Sequence, residues 1–125
     1  MDANKFTQKS LQTVQNAQNV AAEYGNPELT ALHLALALMD KDGLCYRIVK
    51  RAGGDADGLT EAIKEAVERL PRTSGGSQPY ATPAVNRILN EAEKLAEGMK
   101  DEYISVEHLF LCLFDNDERG LKEIF

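Results

Sequence analysis

The sequence predicts an all-α fold built from two copies of one helical unit, and three observations carry that expectation. Apolar residues recur at intervals of three and four along most of the chain, the period of a helix face rather than of a strand. Most such runs open on threonine or serine or close on glycine or proline, residues that satisfy or terminate helix ends. And one phrase is written twice: Thr30 to Met39 reads TALHLALALM, and Ser105 to Phe114, 75 positions on, reads SVEHLFLCLF.

The first helix follows a cap at Thr7, carries Leu11, Val14, Ala17, Ala21 and Tyr24 on one stripe, and ends at Gly25-Asn26-Pro27. Thr30 caps the second, which runs through Met39. Its Leu-Ala alternation also fits a strand, but alanine favours helix and no partner strand is evident elsewhere. A third helix spans about Leu44 to Ala52 and stops at Gly53-Gly54. A fourth, from about Leu59 to Leu70, shows Leu59, Ile63, Val67 and Leu70 on one face and halts at Pro71. Arg72 to Tyr80 is a linker by composition, after which Thr82-Pro83 opens a fifth helix through about Met99. Ser105 caps the sixth. Leu121 to Phe125 begins a seventh.

Shifted by 75 positions, Thr7 falls on Thr82, Ala17 on Ala92, Ala21 on Ala96 and His33 on His108, while Val14/Leu89, Val20/Leu95, Leu29/Ile104 and Thr30/Ser105 keep their character. The agreement sits at caps and core faces, where two copies of one fold must match. The expected organisation is one domain over 1–125, with a first repeat over about 4–70, a linker over 71–81 and a second repeat over about 82–125. The second repeat stops within the counterpart of the first repeat's third helix, so it reads as incomplete at its C-terminus. Two such units pack most easily about a pseudo-two-fold axis, leaving a groove along their seam.

Composition narrows the function. At 43% hydrophobic and 27% charged, the 125 residues suit an ordinary soluble domain with its own core. A net charge of −6 argues against nucleic acid and against anionic membrane surfaces. The start Met1-Asp2-Ala3-Asn4 is unlike a signal peptide, and no apolar run has the length of a membrane span. Cys45 and Cys112 lack metal-site spacing and read as buried free thiols of a reducing cytoplasm. Phosphate-loop, nucleophile-elbow and zinc-helix patterns are missing, so a non-catalytic chain with no cofactor or metal of its own is expected. The two histidines, at matching positions, suggest packing or a local hydrogen bond rather than a shared metal, because no further residue pattern completes a ligand set.

The segments NKFTQKS, AQNVAAEYGN and HLALALM, with GGSQPY and KDEYISVEHLFLCL, together resemble the amino-terminal domain of a Clp chaperone ATPase with its paired Clp-N repeats. GGSQPY and DEYISVEHL point to the ClpB disaggregase type, and the resemblance covers the chain from about Asn4. It implies an all-helical module on a mobile linker above a hexameric ring, whose AAA+ modules take ATP and magnesium, in the cytoplasm. It implies engagement of unfolded or aggregated polypeptide; the alternative is adaptor and substrate docking for a ClpA- or ClpC-type unfoldase that feeds a protease. The isolated domain is expected to be a monomer. Residues implicated in substrate work by the resemblance fall on Thr7, Asp101 and Glu107. ClpC-type relatives place a glutamate before the His-Leu of both repeats to read phosphoarginine, but here the first repeat has Leu32, which argues against that ligand.

Each residue also has a structural reading. Thr7 caps a helix whether or not it touches a ligand. Asp101 matches Asn26 and could order a loop as readily as bind. Glu107 lies in a first helical turn, where the dipole favours an acid, yet Leu32 shows that the fold does without one. Leu32 is expected beside Glu107 in a mixed groove, and Leu11, Ile88 and Leu89 are candidates for either groove or core.

Overall fold

Threonine and serine start helices at the expected places. The structure, a computed structural model, describes residues 2–73, 78–116 and 124. After a 3-10 turn (Ala3–Lys5) come α1 (Gln8–Glu23), α2 (Ala31–Leu38), α3 (Leu44–Arg51), α4 (Ala56–Glu68), α5 (Pro83–Gly98) and α6 (Val106–Leu113). Thr7 Oγ1 accepts the Ser10 amide at 3.0 Å and Thr82 Oγ1 the Val85 amide at 3.4 Å, so both copies of the first helix begin on the same device. Apart from Ile124, which is helical, the expected start of a seventh helix lies outside the described residues, as does the Gly-Ser heart of the linker.

Two expectations need correction. α4 starts at Ala56, not Leu59, because Asp55 caps it by accepting the Gly58 amide at 3.0 Å. Gly58 in the first turn disguises that start. The fold also contains short parallel pairing: β1 (Glu28–Leu29) lies beside β2 (Tyr80–Ala81), so the last residues of the linker belong to the folded body. Two-residue strands are too short to show an alternating pattern.

The pairing also shows why the sequence repeats. Leu29 pairs with Ala81, and Phe6 forms a bridge with Ile104; adding 75 to Phe6 and Leu29 gives Ala81 and Ile104, so the two contacts are copies of one contact. The Thr7 amide donates to Ile104 O at 3.0 Å and the Thr82 amide to Leu29 O at 3.0 Å. Each repeat therefore tethers the start of its first helix to the other repeat, which is the expected pseudo-two-fold arrangement. The correspondence reaches backbone geometry. Gly25 and Lys100, again 75 apart, both close a helix in the left-handed region, at φ +69° and +60°. Only the first copy uses the residue that tolerates this freely.

One hydrophobic core draws on both repeats. Ala17, Ala21 and Ala92 are fully buried and Ala96 nearly so, which lets α1 and α5 lie close to their neighbours. Ile63 and Val67 bring α4 into the same core, while Leu109 and Leu113 do so for α6. Cys45 and Cys112 are buried free thiols. Among the described residues no helix is long and apolar enough to cross a membrane.

Candidate functional site

A recess of about 390 Å³ opens where three parts of the chain converge. One wall is the polar face of α1, where Lys9, Gln12, Thr13 and Asn16 follow Thr7 at helical spacing. Opposite lies the turn from α2 into α3, with Asp40, Asp42 and Arg47 at its edge and Leu38 and Cys45 buried behind. Ser105, Val106 and Glu107, the start of α6, complete it from the second repeat. The groove thus sits on the seam that the repeat predicts.

Glu107 is exposed and, among the described residues, takes no hydrogen bond or ion pair. Its charge reaches the groove floor: burial pushes the Cys45 thiol up to about 11, and the Glu107 carboxylate adds to that rise. Asp40 and Asp42 share the rim with it. Lys9 and Arg47 are the basic groups there, and Arg47 Nη1 donates to Asp42 O at 3.1 Å. The recess therefore offers a small apolar floor inside a polar rim on which, among the described residues, the Asp42 and Glu107 carboxylates take no hydrogen bond or ion pair. That suits a flexible chain carrying both apolar and hydrogen-bonding groups.

Thr7 also lines the groove, but its hydroxyl is committed: it accepts the Ser10 amide and lies 2.9 Å from Ser10 Oγ. Ser10 Oγ in turn donates to Ile104 O at 2.6 Å, joining the start of α1 to the segment before α6. Asp101 lies outside the groove lining. Its Oδ2 is 2.9 Å from His108 Nε2.

The apolar candidates are not brought together. Leu32 is 1% exposed and Ile88 0%, so both belong to the core and present no surface to a ligand. The expectation that Leu32 lies beside Glu107 in a mixed groove is therefore corrected: Leu32 holds the equivalent position on α2, buried within the core to which α4 also contributes. Leu11 is half-buried against the core and does not line the groove. Leu89 lines a separate recess of about 130 Å³ with Phe6 and Ile104, beside the Lys5–Glu93 ion pair.

Sequence reasoning missed the polar face of α1 and the α2–α3 turn. Lys9, Gln12 and Asn16 carried a signal, since they share one helical face away from the apolar stripe, as did the Asp40-x-Asp42 spacing. The histidines are accounted for by hydrogen bonds. The Thr30 amide donates to His33 Nδ1 at 2.9 Å and the Ser105 amide to His108 Nδ1 at 2.8 Å, so in both rings Nε2 carries the proton.

The model of the Clp repeat (R) N-terminal domain matches residues 5–125. The chain belongs to that family. The Clp N-domain described here is 38% identical over 120 residues to the chaperone protein ClpB of Nitratidesulfovibrio vulgaris, covering 92% of this chain but only 14% of that protein. Its fold matches the N-terminal domain of Hsp104 from Candida albicans with a TM-score of 0.87 at 22% identity, covering 97% of this chain and 79% of the other. A complex of a ClpV N-domain with a VipB peptide matches at a TM-score of 0.72 and 21% identity, covering 97% of this chain and 84% of that one.

Proposed function

We propose that this Clp N-domain is the substrate-engaging module of an ATP-dependent disaggregase of the ClpB type. It holds an extended segment of unfolded or aggregated polypeptide in the seam groove and delivers it to AAA+ modules of the same protein. The observation that carries this reading is Glu107: an exposed, unoccupied carboxylate at the groove, in a position where the other repeat buries a leucine. Since the fold accepts leucine there, structure alone does not call for the acid. The 38% identity to a ClpB and the peptide bound by a ClpV N-domain support the same direction.

A single short groove offers few anchors, and ordering a flexible ligand is costly, so the affinity expected is on the order of micromolar or weaker. Fluorescence anisotropy with labelled, reduced and carbamidomethylated α-lactalbumin tests the reading. The wild-type domain should bind, and Glu107→Ala should bind several-fold more weakly with an unchanged melting temperature. Equal binding by the variant would remove Glu107 from the site. No binding by the wild-type domain would favour a surface that docks a folded adaptor, as in an unfoldase that feeds a protease.

A further inference from the structure

We propose that Asp101 does not touch polypeptide but positions the groove wall through His108, and that an uncharged acceptor can do the same work. This rests on the groove reading above. The Asp101 side chain is 47% exposed, yet it is outside the groove lining, and its polar contact is made inward, to a His108 side chain that is 5% exposed. His108 Nδ1 accepts the Ser105 amide at 2.8 Å and lies 3.0 Å from Ser105 Oγ, while Nε2–H donates to Asp101 Oδ2 at 2.9 Å. The ring therefore spans the gap between the end of the α5–α6 connection's first turn and the cap of α6. Ser105, which is that cap, and Glu107, the second residue of α6, are groove wall. Between them and Asp101 lies Ile104, whose carbonyl accepts both the Thr7 amide and the Ser10 hydroxyl. Thr7, Asp101 and Glu107 thus belong to one unit in which two residues face the groove and the third fixes where they stand.

The first repeat supplies an internal control. There His33 makes the same two connections, accepting the Thr30 amide at 2.9 Å and meeting Asn26 Oδ1 at 2.9 Å. Asn26 is the counterpart of Asp101, so a neutral amide oxygen closes the same clamp. A carboxylate in a charged contact with substrate would not be replaceable by an amide, whereas a clamp acceptor would.

The test compares Asp101→Asn with Asp101→Ala in the whole domain, reading anisotropy with the same α-lactalbumin probe alongside amide shifts and the imidazole nitrogen shifts of His108. Asp101→Asn should bind within about twofold of wild type and keep the Nε2–H tautomer. Asp101→Ala should weaken binding at least as much as Glu107→Ala and move the Ser105 and Glu107 amides. Equal losses in both variants, with those amides and the tautomer unmoved, would overturn the proposal and make Asp101 a contact residue. A wild-type domain that does not bind would refute the groove reading separately. The clamp would then stand or fall on whether Asp101→Ala, and not Asp101→Asn, moves Ser105 and Glu107.

Discussion

At the scale of single residues, the two histidines show how one local device serves both repeats under different surroundings. His33 is fully buried, and burial pushes its pKa down to about 4, against a smaller opposing effect of its hydrogen bond with the Thr30 backbone. Because the folded value lies below the usual 6.5, the unfolded chain takes up this proton first. The contribution is fully present above about pH 6.5, declines as pH falls towards 4, and is spent below that; a shift of this size corresponds to roughly 3 kcal/mol. Urea unfolding followed by circular dichroism at pH 7 and pH 4 should therefore show a loss that is smaller in His33→Gln, which keeps a first-turn partner for the Thr30 amide without titrating. Identical losses in the two proteins would show that His33 does not govern this acid sensitivity.

At the scale of elements, helix existence was legible because caps and apolar stripes are local. Thr7, Thr30, Thr82 and Ser105 stand directly before helices, and α1 and α5 end where expected. What escaped was decided by neighbours distant in sequence. The β1–β2 pair depends on which segments meet across the seam, and Leu32 looked like a groove residue because its burial depends on packing from outside its own helix. Glu107 and Leu32 are both second residues of their helices, and their difference sets which repeat can carry the site. Exchanging them tests this. Leu32→Glu would place a carboxylate in the core and should cost at least about 4 kcal/mol, enough to threaten a domain of ordinary stability. Glu107→Leu should leave the melting temperature close to wild type and weaken polypeptide binding. Comparable stability losses in the two variants would contradict the assigned asymmetry. α6 also shows Leu111 at 53% exposure, where its counterpart Leu36 on α2 is partly buried against the core.

At the scale of the whole molecule, the repeat was legible from the 75-residue offset, but its physical cause was not. Phe6 with Ile104 and Leu29 with Ala81 tie each repeat to the other, and the core is continuous across the seam. A fragment of residues 1–73 should therefore lack a dispersed amide spectrum on its own, because it leaves Phe6 and Leu29 without partners; a well-dispersed spectrum would mean the repeats fold independently. The groove is likewise a property of both copies, since α1 and the α2–α3 turn come from one and Glu107 from the other. That joint origin is the central claim, and a titration of the isotopically labelled domain with reduced, carbamidomethylated α-lactalbumin, followed by amide shifts, tests it most directly. The account predicts that the largest shifts fall together on Gln12, Asn16, Leu44 and Glu107, from both repeats, and fade in Glu107→Ala. Shifts confined to one repeat, or gathered instead around Leu89 and Lys5, would contradict it.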